Sequence, residues 1–175
     1  MKTWTIAAAL AAALISSAGV AAQQTDKVPL KAADYAEINQ LYVRYNYGID
    51  THADGGQMWS KTFTPDGVFE LVGSMKIQGF DKLTEFAKLK LGAPAPDAPH
   101  HYATNIMINP APGGATGSAY FFNVTTPEKG KGSTITGTGT YKDFIVKTAE
   151  GWRFKQRSFY SNALPPAMIG EVSAR

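Results

Sequence analysis

Cysteine is absent from the 175 residues, and histidine occurs only three times, as His52, His100 and His101. The first absence excludes disulfides, thiolate metal sites and a cysteine nucleophile together. The few histidines include no His-x-x-x-His pair of the kind that places two metal ligands on one helix face. Asp50, His52 and His101 are the one set resembling a two-histidine, one-carboxylate triad, and no short ligand spacing supports it, so no metal is expected. Nor is there an excess of one charge. Lysine and arginine number 17 against 14 acidic residues, and the lysines (Lys76, Lys82, Lys88, Lys90, Lys129, Lys131) are scattered rather than striped. That pattern describes a solvated surface and excludes a nucleic-acid partner. Gly132 to Gly139 is glycine-rich but lacks the strand–turn–helix setting of a phosphate loop.

The longest apolar stretch stands at the start. Lys2 is the only charge before Asp26, the run Trp4 to Ile15 is apolar and alanine-rich, and Val20-Ala21-Ala22 has the small residues a signal peptidase reads. The run is too short to span a bilayer comfortably, which takes about 20 residues. Residues 1–22 are therefore expected to be a cleaved signal peptide, giving a periplasmic or secreted protein with no membrane association after cleavage. Residues 23–31, polar with Pro29, read as a linker, 32–165 as one domain and 166–175 as a C-terminal tail. A cysteine-free exported domain must be held by its core, and about 150 residues suffice to bury one.

Tyr35, Ile38, Leu41, Tyr42, Tyr45 and Ile49 recur at spacings of three and four, the apolar face of a helix ending near Asp50. Asp34 and Glu37 lie in its first turn, where the helix dipole favours acid. A second short helix is expected around Met58, Trp59 and Phe63, then a turn at Thr64-Pro65-Asp66-Gly67, a strand over 68–72 and a third helix from Phe80 to Leu91. After the prolines Pro94, Pro96 and Pro99, four strands are predicted: His101–Asn109, Gly117–Thr125, Ser133–Lys147 and Trp152–Tyr160. The connections Pro112-Gly113-Gly114, Pro127-Glu128-Lys129-Gly130 and Glu150-Gly151 suit antiparallel hairpins. Helices followed by consecutive strands specify an α+β domain.

Three features carry possible chemistry. Asp50 lies where the helix dipole disfavours negative charge, and is either a solvated loop residue or a carboxylate held at the mouth of a cavity. Strand alternation groups His101 with Ala103 and Asn105, and His100 with Tyr102 and Thr104, so at most one of these two histidines faces inward. An inward histidine is structural unless a carboxylate makes it a general base. The aromatic load, Trp59 and Tyr141 included, serves core packing or a pocket for a flat substrate. Tyr45, five residues before Asp50, is expected to look into the same cavity from a different depth.

The order Asp34, Ile38, Leu41, Tyr45, Ile49-Asp50, then Phe63-x-x-Asp66-Gly67, His101-Tyr102-x-Thr104-Asn105, Gly139-x-Tyr141-x-Asp143 and Gly151-Trp152-Arg153-Phe154 resembles the SnoaL-like branch of the NTF2-like superfamily over nearly the whole predicted domain. Within it the chain is similar to hexachlorocyclohexane dehydrochlorinases, bile acid 7α-dehydratases, scytalone dehydratases and cofactorless deformylating lyases acting on diarylpropanes. The resemblance implies a cone: a strongly bent antiparallel sheet closed by N-terminal helices around one pocket, assembled as a homodimer or homotrimer. It implies an Asp50–His101 dyad for proton abstraction, Tyr45 as hydrogen-bond or proton donor, and no metal, flavin or nicotinamide cofactor. Trp59, Asn105, Tyr141 and Arg157 would bind the substrate, although strict alternation puts Arg157 on the face opposite Trp152. The expected function is a lyase of the dehydrating or deformylating type on a small apolar or aromatic substrate, in aromatic compound catabolism. The alternatives are a non-catalytic periplasmic ligand-binding protein, or an isomerase of the ketosteroid kind using Asp50 directly as base.

Overall fold

A computed structural model describes residues 29–90, 98–126 and 130–163. The expected signal peptide, most of the linker, the C-terminal tail and the Pro127–Gly130 connection lie wholly or largely outside the described residues. Helix α1 (Ala32–Thr51) opens the domain; a 3₁₀ turn (Ala53–Gly56) and the four-residue α2 (Gln57–Ser60) follow. Next come β1 (Phe63–Leu71), β2 (Met75–Gln78), α3 (Phe80–Lys90), β3 (His100–Ala111), β4 (Gly114–Thr125), β5 (Thr134–Thr148) and β6 (Gly151–Ser161). The six strands form one sheet in the order β2-β1-β6-β5-β4-β3. Among the described residues no helix is long and apolar enough to cross a membrane.

The helical periodicity of α1 becomes its packing. Ile38, Leu41, Tyr42, Tyr45 and Ile49 are buried, facing Ala115, Ala119, Phe121, Tyr141, Ile145 and Phe154 of the sheet in one core cluster. At the start of α1 the Asp34 carboxylate accepts the Lys31 N–H at 2.8 Å, the Trp152 Nε1–H at 3.0 Å and Lys147 Nζ at 2.7 Å. One acidic side chain thereby satisfies a free helix amide and ties α1 to β5 and β6. Gly48 lets the helices close: a Cβ there would come within 2.8 Å of the Trp59 backbone nitrogen.

Three expectations are corrected. The sheet is not wholly antiparallel, because β1 runs parallel to β6. Phe63 begins β1 rather than closing the second helix. The Thr64–Gly67 segment is an irregularity inside β1, where the pairing to β6 jumps from Phe63↔Phe154 to Val68↔Gln156. The exposed strand β2, which pairs with β1 across the Val72–Ser74 turn, has no apolar alternation to announce it.

A matching irregularity governs the last strand. Ile145 pairs with Phe154 and Phe144 with Gln156, so Lys155 has no partner on β5. This β-bulge shifts the side-chain phase by one residue. Trp152 and Phe154 face the core before it, and Arg157 does so after it. The alternation rule, which sent Arg157 outward, fails at that one unpaired residue.

Candidate functional site

Besides the Asp34 cluster at its start, two polar clusters lie against α1. The deeper one is centred on Arg157 and Asp143, both side chains fully buried. Arg157 Nε and Nη2 donate to the two Asp143 carboxylate oxygens, each at 2.8 Å, and the Tyr42 hydroxyl donates to Asp143 Oδ2. Gly117, which pairs with Asp143 across β4 and β5, makes that last bond feasible: a Cβ on it would lie 2.3 Å from the Tyr42 oxygen. The guanidinium is packed among the rings of Phe154, Tyr45, Tyr141 and Tyr42, 3.8 to 4.6 Å from their centroids. Burial opposes the charge on Arg157, and the adjoining Asp143 carboxylate more than offsets it, so its pKa is raised. Burial, reinforced by the Asp143 charge, pushes the Tyr42 hydroxyl well above its ordinary range.

The second cluster lies where α1 ends. His52 takes a left-handed conformation (φ 51°) and stops the helix, leaving Asp50 in the last turn beside β3. Because β3 is the edge of the sheet, its outward amides have no strand to bond. The Asp50 carboxylate fills that role, accepting the His101 backbone N–H at 3.1 and 3.2 Å and approaching His101 Nδ1 to 2.6 Å. The side chains are 15% exposed for Asp50 and 19% for His101. With Nδ1 turned to the carboxylate, no described residue bonds Nε2 of the imidazole.

These residues line an open groove of about 570 Å³ together with Val43, Asn46, Tyr47, Thr51, His100, Tyr102 and Ala103. The expectation of a single closed pocket is corrected. The space between α1 and the sheet is filled by Trp59, Tyr45, Tyr141, Phe121, Phe154 and Arg157. A separate concavity of about 580 Å³, lined by Lys61, Phe63, Pro65, Phe80 and Arg153 among others, contains no histidine.

Of the residues singled out from sequence, Asp50 and His101 are in contact. Tyr45 is not with them: it is 1% exposed, meets Phe63, Tyr141 and Phe154 ring to edge and lies tilted against Trp59. Phe121 and Tyr141 stand between it and His101. Burial raises the pKa of its hydroxyl, against the opposing influence of the Arg157 charge. Trp59 and Tyr141 belong to the same core, and Arg157 to the buried pair, so none of the three lines the groove. Asn105 is exposed with φ 52° at a bulge of β3. Alternation therefore breaks there, and Ile106 rather than Asn105 packs toward the core. Among the described residues no three His, Asp or Glu side chains converge as a metal site, so Asp50, His52 and His101 form no triad.

Sequence reasoning passed over Val43, Asn46, Tyr47 and Tyr102. The signal for three of them was the helix itself, Val43 lying only about 20° around the axis from Asp50. At 100° per residue, Asn46 and Tyr47 lie about 40° and 60° around the axis from Asp50, whereas Tyr45 lies about 140° away.

The match to a family model covers residues 31–158 and is to the SnoaL-like domain. The chain belongs to the SnoaL-like domain family. No curated relative matches it, and solved structures show the same NTF2-like fold. Rv3472 of Mycobacterium tuberculosis, a protein of unknown function, is 27% identical, with a TM-score of 0.64 over 77% of this chain and 79% of that one. An NTF2-like protein with a cystatin-like fold from Novosphingobium aromaticivorans is 17% identical, at a TM-score of 0.65 over 80% and 89% of the two chains. A protein from the same organism, assigned as a scytalone dehydratase, is 19% identical at 0.58, over 74% and 84%.

Proposed function

We propose that this SnoaL-like domain is a cofactor-independent lyase in which Asp50 and His101 act as an acid–base dyad. The observation that carries the reading is the 2.6 Å contact between Asp50 Oδ1 and His101 Nδ1, on the wall of an open groove, with Nε2 unbonded. A carboxylate on Nδ1 fixes the tautomer that leaves Nε2 with a lone pair, and stabilises the imidazolium formed when Nε2 takes a proton. Elimination of a poor leaving group also needs an acid. Tyr45 is sealed in the core, so that role falls to Tyr47, which lines the groove three residues before Asp50. The substrate class is a small, partly apolar and aromatic molecule, consistent with walls made by Val43, Tyr47 and Tyr102.

The test is a panel of aryl compounds bearing a hydroxyl, hydroxymethyl or halide next to an acidic C–H, followed by mass spectrometry for loss of water, formaldehyde or acid. Turnover is expected to fall by about 10²–10⁴ in Asp50→Asn and in His101→Gln. Parental rates in both variants would remove the dyad. One observation favours a ligand-binding reading instead: the same carboxylate also accepts the His101 backbone N–H, as a structural tie between α1 and β3 would. Absence of turnover across the panel, with binding retained, supports that second reading.

The same proposal places the protein outside the cytoplasm, on the strength of the apolar N-terminal stretch and the small residues Val20-Ala21-Ala22 that follow it. Mass spectrometry of protein from the native envelope is expected to find Gln23 at the N-terminus, and an intact Met1 would overturn this. Assembly as a homodimer or homotrimer is part of the reading. Its support is an exposed row of Tyr102, Met107, Tyr120 and Ile135 on the sheet face turned away from α1, and sedimentation analysis checks it.

A further inference from the structure

Asn46 stands one helical turn before Asp50 and shares its groove. It is only 9% exposed, in a helix whose other buried positions are nearly all apolar. Its Oδ1 is buried without a hydrogen-bond partner, and no described residue bonds its amide nitrogen. A buried carboxamide that bonds nothing is costly and rare in a native fold. A leucine would fit the same place with no polar group to satisfy. Two other buried atoms share this condition, Trp59 Nε1 and Arg157 Nη1, but both belong to the filled interior. Of the three residues, Asn46 alone lines open space.

We infer that Asn46 is the oxygen-binding residue of the groove, its carboxamide receiving a hydroxyl or carbonyl oxygen of an oxygenated aromatic substrate. This rests on the reading of the groove as a substrate site and names the substrate class. Its amide N–H groups donate, and a hydroxyl or a carbonyl oxygen can accept from them. Val43 and Tyr47, more than half exposed, flank it on α1, and His101 and Ala103 of β3 line the groove with them, Tyr102 standing at its rim. Four residues of helix separate Asn46 from Asp50, about 6 Å along the axis. A single ring with one substituent spans that distance, its oxygen at Asn46 and its acidic proton near His101.

Binding of 4-methylphenol and of 1,4-dimethylbenzene, which differ by that oxygen, is the test, followed by chemical-shift titration of the whole protein. The wild type is expected to bind the phenol about five- to tenfold more tightly, with shifts at Val43, Tyr47 and Tyr102. In Asn46→Leu the ratio falls to about one while thermal stability is held or raised. In Asn46→Asp the phenol is still bound, through a carboxylate that only accepts, but 4-methylacetophenone is not. That second variant keeps the test open if the leucine disrupts folding. The inference is wrong if the wild type shows no preference for the phenol, if Asn46→Leu keeps the preference, or if the shifts map to Lys61 and Arg153. These outcomes are independent of the dyad. If the preference follows Asn46 while Asp50→Asn and His101→Gln lose no turnover, the oxygen site stands and the acid–base reading falls.

Discussion

Two of the carboxylates that grip a basic side chain from across the fold differ in burial, and their surroundings separate them. Asp143 and Arg157 are wholly buried, bonded twice to one another and packed among four rings. Asp50 and His101 meet at the rim of a groove, partly exposed, with a single side-chain bond and one ring nitrogen left over. The first pair has almost no capacity to bind anything else, and its charges cannot change without cost. The second can exchange a proton with whatever enters. Burial, more than residue type, assigns the first to architecture and the second to chemistry.

Breaking the buried pair from one side should give the largest effect. Arg157→Met leaves Asp143 charged and unpaired in the core, and is expected to cost about 3–5 kcal/mol of unfolding free energy, measured by denaturant titration. Replacing both, as Asp143→Leu with Arg157→Met, should recover part of that loss. If Arg157→Met were as stable as the parent, the pair would not be architectural. At the rim the expectation inverts: Asp50→Asn should change stability by less than about 1 kcal/mol, while turnover falls as given above. The removed charge sits at the unfavourable end of the α1 dipole, which compensates for weaker bonding to His101.

Two tyrosines sharpen the contrast at a smaller scale. Tyr47→Phe is expected to lower kcat by about tenfold or more with stability unchanged, as loss of a proton donor does. Tyr45→Phe should leave kcat alone and register only in thermal stability, since its hydroxyl lies behind Phe121 and Tyr141. The opposite result would move the acid back to Tyr45 and require the interior to open. The smallest effect concerns Asp34. Its bond to Lys147, helped by the Lys31 amide and Trp152, lowers its pKa from 3.8 to about 2. The folded state therefore binds that proton less readily than the unfolded chain. Its contribution is complete above about pH 4 and is lost as pH falls toward 2. Asp34→Asn should flatten the acid limb of a stability–pH curve over that interval.

How far the residues announced all this depends on which regularity they obeyed. Helix α1 was legible because its apolar face repeats without interruption from Tyr35 to Ile49. The hairpins were legible from Pro112-Gly113-Gly114 and Glu150-Gly151. The contact of Asp50 with His101 was reached through resemblance, since two residues fifty-one positions apart carry no local sign of meeting. Tyr45 misled because spacing along a helix fixes direction as well as depth, and five residues turn a side chain far from Asp50. Strand β2 has four residues with little apolar pattern, so no period identifies it. Asn105 and Arg157 both lie at or just beyond bulges, where counting by twos gives the wrong face.

The unpaired Lys155 has an evolutionary corollary. In an unbroken β6, no point substitution could bring Arg157 to the interior, because the face a position occupies is set by how many residues precede it. Only an insertion or deletion resets that count. Pairing Lys155 into the ladder would turn Arg157 toward solvent and leave Asp143 alone in the core, whereas deleting it would put Arg157 two positions after Phe154, on the same inner face. The charged heart of the domain is thus a property of reading frame along the strand, set by whether one residue stands outside the pairing.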